Sequence, residues 1–331
     1  MGTWPDTLHW VSEDGSAAVP YRLVSGVALT VGGPICAPER RSDAVIGFAR
    51  HCYEHGWLPS FYSLREEDYA DVFASLGWAT VRVGEEMVLD PRTASFSGRA
   101  FQVIRTSVNG AQRLGIEARW ARYRDLSRQE SLQIREISEQ WVAEKGLPEM
   151  GFTLGGLDEL DDADVRLLVA VDGDGVVHGF TSWLPRFRNG TVVGWTLDVM
   201  RRRADGFPRV MEFLIATAVT RLGRDGIEEV SLAAAPLASS VPTAASAVLD
   251  ALARGLEPAY GFRSLFAFKA KFQPRRLPLL VATPDALALP IVARAVLHAY
   301  LPETSARSRL RMLAGLLRRP RIRAAAPAHG H

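Results

Sequence analysis

Residues 194–214 read GWTLDVMRRRADGFPRVMEFL. Gly194 to Met200 has the apolar, β-branched character of a strand. Simple alternation delivers Asp198 and Met200 to one face and Leu197 and Val199 to the other. The chain then turns through Arg201, Arg202, Arg203 and Gly206 into a helix with Pro208 near its first turn. A helix N-terminus carries free N–H groups and a partial positive charge, so it favours an anion. Three arginines beside it strengthen that preference. An arginine-rich solvated turn is the plainer reading. The helix runs to about Leu222, and a second strand follows at 229–234. Strand, basic loop, helix and strand set an α/β arrangement.

Outward from this segment the rhythm repeats. Upstream, 166–171 and 176–184 flank Asp172-Gly173-Asp174-Gly175, a hairpin signal. Residues 127–145 read as a helix, with Ser127 and Glu130 as a capping box and apolar Leu132, Ile134, Ile137 and Trp141. The first half gives strands over 18–31, a turn at Gly32-Gly33-Pro34, and a helix over 42–56 with Ser42 as N-cap. A strand at 58–63, a helix at 66–77 closed by Gly77, and strand signals over 78–89 follow. Residues 96–115 have helical spacing, with Arg105 and Asn109 four apart on one face. Downstream lie a Pro/Ala/Ser-rich loop at 235–247, a helical stretch at 246–254 and a final strand at 263–272. Alternation there puts Lys269 and Lys271 on one face and Phe268 and Phe272 on the other. Like charges on one face repel unless an anion lies opposite; a lysine-guarded edge strand is the plainer reading. The two halves share one order of elements, which predicts two related α/β units packed side by side.

A chain of 331 residues accommodates two domains at roughly 150 residues each. Apolar residues make up 47% and charged residues 23%, which excludes a disordered chain, a collagen-like repeat and a coiled coil. Cys36 and Cys52 form neither metal spacing nor a disulfide framework, which fits a reducing compartment. Met1 to Trp10 lacks the charged and apolar regions of a signal peptide. The most apolar long stretch, 277–301, is broken by Pro278, Pro284, Asp285, Pro290, Arg294 and His298, whereas a spanning helix needs about 20 mostly apolar residues. There is no phosphate loop, no His-Glu-x-x-His, no Cys-x-x-Cys and no Gly-x-Ser-x-Gly. His51 and His55 have i, i+4 spacing but no evident third ligand, so a helix surface is the expectation. The net charge of +2 hides a skew: residues 302–331 hold seven arginines against Glu303, or +6, which leaves −4 for residues 1–301. A basic tail on an acidic body points to an anionic partner, a membrane surface or nucleic acid, unless it is a solvated, partly disordered tail.

The segment at 194–214 resembles the acyl-CoA site of GNAT-fold acyltransferases. The family's loop pattern matches Arg203-Ala204-Asp205-Gly206-Phe207-Pro208, with Pro208 in place of the last small residue and one backbone donor lost. A longer resemblance covers about residues 18–275. It rests on Gly84-Glu85-Glu86, Ile104-Arg105-x-x-x-Asn109 with Gly115 downstream, and Ile137-Ser138-x-x-Trp141-x-x-x-Lys145. It continues through Glu149-x-Gly151-Phe152-Thr153-Leu154-Gly155, Leu197-Asp198-Val199-Met200-Arg201-Arg202, Met211-Glu212-Phe213-Leu214 and Ala235-Pro236-Leu237. It ends in Tyr260-Gly261-Phe262-x-x-Leu265-x-x-Phe268-Lys269-x-Lys271-Phe272-x-Pro274. In this order the pieces resemble the soluble catalytic domain of the aminoacyl-phosphatidylglycerol synthases, the phosphatidylglycerol lysyltransferase family. Three positions depart from the family pattern. Gly33 replaces an acid, Phe266 replaces a basic residue, and Arg275 replaces a frequent Trp.

The resemblance implies an α/β (α+β) fold of two tandem GNAT-like units, each a mixed, mostly antiparallel sheet flanked by helices. The expected division is 1–125, 126–275 for the catalytic unit, and 276–331 for a basic helical tail. It implies transfer of an aminoacyl group, lysyl or alanyl, from aminoacyl-tRNA to a hydroxyl of phosphatidylglycerol or a related lipid. Such transfer changes membrane charge and bears on resistance to antimicrobial peptides. It implies no cofactor and no metal. Its partners would be aminoacyl-tRNA, an anionic phospholipid surface and a membrane flippase, separate or fused; with none preceding the domain, the chain is expected to be a free-standing member or a piece cut from one. Its place would be the cytoplasm, peripheral on the inner face of the cell membrane. The implied catalytic residues are Asp198 for the α-ammonium, Arg201 for a phosphate, and Lys269, or Lys271 in its place, for positive charge at the oxyanion or a phosphate. The implied substrate-binding residues are Arg105, Asn109, Glu149, Phe152, Arg202, Tyr260 and Lys271. Leu310 to Arg323 mixes apolar and basic residues as a surface-binding helix does, and the same charge suits a tRNA backbone. Rival expectations are an acyl-CoA-dependent acyltransferase and a non-catalytic GNAT-like membrane-binding module.

Overall fold

The computed structural model describes residues 2–4, 6–145, 152–153, 155–236 and 262–300. The first half lays down β1 (Leu8–Val11), β2 (Ala18–Val24) and β3 (Val27–Val31). It crosses through α1 (Arg41–Glu54) to β4 (Leu58–Arg65), then through α2 (Glu66–Ser75) to β5 (Ala79–Leu89). Next come α3 (Gln102–Arg113), β6 (Glu117–Ala121) and α4 (Arg128–Lys145). The second half has β7 (Arg166–Val171), β8 (Val177–Arg188) and β9 (Thr191–Arg202). It crosses through α5 (Val210–Arg224) to β10 (Glu229–Pro236). The described residues close with α6 (Phe262–Ala270), β11 (Arg275–Thr283) and α7 (Leu289–Tyr300).

Local chemistry sets several of these boundaries. Ser127 Oγ accepts from Glu130 N at 3.2 Å and Glu130 Oε2 accepts from Ser127 N at 2.9 Å, the reciprocal capping box expected at the start of α4. Asp172 Oδ1 accepts from Asp174 N and Val176 N at 3.0 and 2.9 Å and so closes the β7–β8 hairpin. Asn189 and Gly190 turn β8 into β9 with φ of 51° and 75°, the left-handed pair that matches strand twist.

Eleven strands among the described residues form one sheet in the order β1-β2-β3-β4-β11-β5-β10-β9-β8-β7-β6. Most contacts are antiparallel. The parallel ones, β3–β4 and β9–β10, are bridged by the crossover helices α1 and α5. Each half thus repeats three strands, a crossover helix and a parallel fourth. Each half's next strand leaves for the other half: β5 lies beside β10, β11 lies beside β4, and β5 and β11 pair with each other. One core lies where α3 and α5 cover β5 to β10, and a second lies under α4. The first half is covered by α1 and α2 on one face and α7 on the other.

Two expectations near the C-terminus are corrected. The segment expected as a strand at 263–272 is α6 with the turn after it; Leu265, Phe268, Lys269 and Phe272 fall at i, i+3, i+4 and i+7, and Lys269 and Phe272 are the buried pair. Residues 275–283, assigned mainly to a helical tail from 276, are instead β11 in mid-sheet. The strand carries Pro278, although proline is rare in a central one. It is tolerated because β4 joins only at Leu279↔Arg65, so at Pro278 only β5 lies alongside. The helical stretch expected at 246–254 and the basic tail at 302–331 lie outside the described residues. Among the described residues no helix is long and apolar enough to cross a membrane.

Candidate active site

β9 and β10 pair from Glu229↔Gly194 to Ser231↔Thr196 and then part, although both strands continue. A cleft of about 2520 Å³ reaches this opening. On the β9 wall the register slips. Trp183 pairs with Leu197 and Thr181 with Met200, so Asp198 and Val199 together face Ser182. Such a bulge re-aims side chains. Leu197 and Met200 both pack toward the core under α5, and Val199 faces the core under α4. Asp198 and Arg201 therefore share the α4 side, rather than Asp198 and Met200 as strict alternation predicts.

Asp198 Oδ1 accepts from Gly155 N at 2.9 Å and Oδ2 from Ser182 Oγ at 3.3 Å. Val199 N donates to the same Ser182 Oγ at 2.9 Å, so one hydroxyl holds the bulge and the carboxylate together. A Cβ on Gly155 would stand 2.5 Å from Asp198 Oδ2, so this approach requires glycine. Burial pushes the Asp198 carboxyl up to about 6, against the two hydrogen bonds that favour its charge. Arg201 is 5% exposed, and its guanidinium carbon lies 5.1 Å from the Trp141 ring centroid on α4. Delocalised guanidinium charge over an indole face is favourable. Asp198, Arg201 and Trp141 all line the cleft.

The facing wall is built by β5, β10 and α6. Lys269 is 4% exposed, and its Nζ donates to Ala234 O at 3.2 Å. Burial lowers the amine to about 7, against the opposing pull of Glu86. β10 bulges between Ser231 and Ala234, with Ala233 at a φ of 62°. Glu86, the register partner of Ala234, accepts from Ser231 Oγ at 2.6 Å and from Arg65 Nε at 2.6 Å. Burial alone would raise Glu86; the hydrogen bonds and charge of Arg65, with Ser231, outweigh it and hold the carboxyl below its ordinary range. Arg65 also grips Glu229 through both terminal nitrogens at 3.1 and 2.7 Å, and Arg186 pairs with Glu229. These residues come from β4, β5, β8 and β10. Only Glu86 fell within a sequence motif; no local signal joins Arg65, Arg186, Glu229 and Ser231, because long-range strand pairing brings them together.

The other expected site residues fall in several places. Arg202 lines the cleft, at the exposed end of β9. Phe152 is 3% exposed with φ of 72°, packed 6.0 Å from Tyr62 and 5.7 Å from Tyr300 between ring centroids. It is a core residue beneath the cleft, where Thr153 Oγ1 donates to the Tyr300 hydroxyl at 3.0 Å. Lys271 does not share a face with Lys269. Its Nζ donates to Glu212 Oε1 at 2.9 Å on α5, because α6 ends at Ala270 and the chain turns. Arg105 is committed to the Phe96 and Gly98 carbonyls, and Asn109 is exposed on α3; neither lines the cleft. Glu149 and Tyr260 lie outside the described residues. No group of three or more His, Cys, Asp or Glu side chains among the described residues is arranged to hold a metal.

The N-terminus of α5 does not offer the phosphate site that an acyl-CoA enzyme needs. Phe207 N donates to His178 Nδ1 at 3.1 Å, and Pro208 has no N–H. Glu212, 7% exposed in the first turn, already places a carboxylate at the positive end of the helix. Arg203 is spent on Val177 O and Gln133 Oε1, both at 2.9 Å.

A family model described as phosphatidylglycerol lysyltransferase, C-terminal, matches residues 1–283. The chain belongs to this family. An uncharacterized protein of Corynebacterium glutamicum is 39% identical over 310 residues, covering 92% of the chain and 39% of that protein. The lysylphosphatidylglycerol biosynthesis bifunctional protein LysX of Nocardia farcinica is 30% identical over 298 residues, covering 87% of the chain and 26% of LysX. The chain thus spans well under half the length of these curated relatives. Among solved structures, L-PGS from Bacillus licheniformis superposes with a TM-score of 0.75 at 23% identity, covering 89% of each chain. A C-terminal domain from Agrobacterium fabrum, assigned to a lysylphosphatidylglycerol synthetase, also gives 0.75, at 22% identity over 88% of this chain and 89% of that one. The lysyltransferase-family fold is therefore the tandem GNAT-like α/β architecture: one large mixed sheet flanked by helices.

Proposed function

We propose that this phosphatidylglycerol lysyltransferase-family chain moves an aminoacyl group, lysyl or alanyl, from aminoacyl-tRNA to a hydroxyl of phosphatidylglycerol or a related lipid. The observation that carries the reading is the β9 bulge. It puts a half-buried carboxylate and a buried guanidinium on one side of the strand, at the mouth of the parting sheet. An aminoacyl ester is already activated, so the catalyst must mainly place the hydroxyl against the carbonyl carbon and stabilise the oxyanion. Asp198, mostly ionised at pH 7, takes the α-ammonium of the aminoacyl group. Arg201, fixed over Trp141, takes a phosphate of the lipid or of the tRNA end, with Arg202 at the rim as a second cation. Lys269 stands on the opposite wall. The blocked α5 N-terminus argues against acyl-CoA as the donor.

The site would act on lipid at the inner membrane face. The basic segment 302–331 would supply attraction to anionic headgroups or to tRNA phosphates. A flippase, fused or separate, would then distribute the product. The test is lipid extraction. The protein is mixed with phosphatidylglycerol liposomes, total tRNA, synthetases and labelled amino acids, with and without RNase. Label entering the lipid phase only with intact tRNA is expected. Label that survives RNase, or label that stays out of lipid while acetyl-CoA supports acyl transfer, overturns the reading.

A further inference from the structure

We infer that Lys269 is the group that carries the proton of the transfer step, and that Glu86, clamped by Arg65 and Ser231, is the positioning residue that sets its charge. The inference rests on the transfer reading above and extends it. It starts from the side chain's setting. Of 39 basic residues in the chain, three are lysines: Lys145, Lys269 and Lys271. A fixed positive charge in this protein is supplied by arginine almost everywhere. Arginine cannot release its proton in a protein, whereas a buried lysine can. Lys269 sits on the cleft wall at 4% exposure, with its Nζ on the Ala234 carbonyl at 3.2 Å. A carbonyl accepts from both the amine and the ammonium, so this contact orients Nζ without fixing its charge.

Glu86 is built into that setting. The β10 bulge, with Ala233 left-handed, leaves Ala234 in register with Glu86 on β5. One Glu86 oxygen is held by Ser231 Oγ and the other by Arg65 Nε, each at 2.6 Å. The carboxylate is thus kept ionised and immobile on β5, in register with the residue whose carbonyl holds the amine, and acts on it through its charge. Charged groups on the surrounding elements are paired elsewhere, and Glu86 is the charge that acts on Lys269. Arg65 also binds Glu229, Glu212 on α5 binds Lys271, and Arg276 on β11 lies 4.7 Å over the Phe266 ring. Burial lowers Lys269 to about 7, and Glu86 is the opposing influence that stops it falling further. An amine near neutrality is suited to accept and return a proton at working pH.

The step balances as written. Neutral Nζ takes the proton of the lipid hydroxyl as its oxygen bonds to the ester carbonyl carbon. The tetrahedral adduct collapses by breaking the carbon–oxygen bond to the ribose. The ammonium returns the proton to the departing ribose oxygen. Nothing further is consumed.

The test uses the full chain labelled with ¹³C-lysine, which gives three side-chain signals, assigned with Lys271→Arg and Lys269→Arg. The Lys269 signal is expected to titrate with a midpoint near 7, and Glu86→Gln is expected to lower that midpoint by about one pH unit. A wild-type midpoint at the ordinary lysine value overturns the inference even if Glu86→Gln fails to fold. A midpoint that ignores Glu86→Gln in the folded variant overturns the positioning role. In the lipid-extraction assay the acidic limb of the rate profile should track the midpoint in both proteins. Lys269→Arg, which keeps the charge, should lose about 10²-fold or more; full activity in Lys269→Arg overturns the proton role. A wild type inactive with every amino acid, but with the expected titration, counts against the transfer reading and leaves the Glu86–Lys269 coupling standing.

Discussion

Replacing Lys269 with methionine should stabilise the protein while abolishing transfer. The ordinary lysine value of 10.5 falls to about 7 at this site. Each pH unit of difference corresponds to ~1.36 kcal/mol, so the native state carries a charge penalty of ~5 kcal/mol at pH 7 and below. Methionine fills nearly the same volume but leaves the Ala234 carbonyl unpaired, which costs about 1–2 kcal/mol. The expected net gain is ~3 kcal/mol at pH 7. The sign follows from proton binding. Between pH 7 and 10.5 the unfolded chain holds more protons than the native one, so wild-type stability rises with pH and the penalty fades. At pH 9.5 the advantage of Lys269→Met should therefore be close to zero. Urea unfolding, followed by tryptophan fluorescence at both pH values, measures this. A variant no more stable than wild type at pH 7, or a gain that stays constant between pH 7 and 9.5, refutes the reasoning.

Asp198→Asn should remove transfer activity and flatten the stability profile in acid. The raised carboxyl holds its proton more tightly in the native state, so wild-type stability falls as pH rises from about 4 through 6, and the asparagine variant should lack that fall. Ser182→Ala strips both Asp198 and Val199 N of a partner and should cost about 2 kcal/mol in urea unfolding, with transfer reduced. Gly155→Ala drives a methyl group against Asp198 Oδ2 and should lower both the urea midpoint and the transfer rate. Titration calorimetry with acetyl-CoA should give no binding heat, because His178, Pro208 and Glu212 block the α5 N-terminus.

Much of the fold was legible in local signals. The Ser127–Glu130 box, the Asp172–Gly175 turn and the repeating order of strands and helices each act over a few residues, so sequence spacing carries them. The misreadings came where two periods coincide or tertiary context decides. Around Lys269, alternation and helical spacing fit the same residues, and only burial under β10 selects the helix. Residues 275–283 read only as part of a broken apolar stretch and a tail, and the pairing with β5 and β4 that makes them a strand is long-range. At the site, Asp198 and Arg201 were found from one segment, yet their shared face depends on a bulge opposite Ser182 that strict alternation does not contain. Lys269 and Lys271 looked equivalent at a spacing of two; the end of α6 separates them, one buried at the cleft and one paired with Glu212. Arg105 enters as a binding residue only through the family resemblance; its bonds to the Phe96 and Gly98 carbonyls depend on how the preceding loop folds back, which helix spacing does not carry.

The exchange of β5 and β11 between the halves has a consequence for synthesis. Ser60 Oγ donates to Ala282 O across 222 residues, and β11 fills the gap between β4 and β5 from Leu279 to Ala282. The edges of β4 and β5 that face it must therefore wait, unpaired, until the last described strand leaves the ribosome. Contacts this distant in the chain form slowly, and open strand edges invite pairing with other molecules. The first half is thus expected to persist as a sticky, half-zipped nascent species, closed from within by a single late strand.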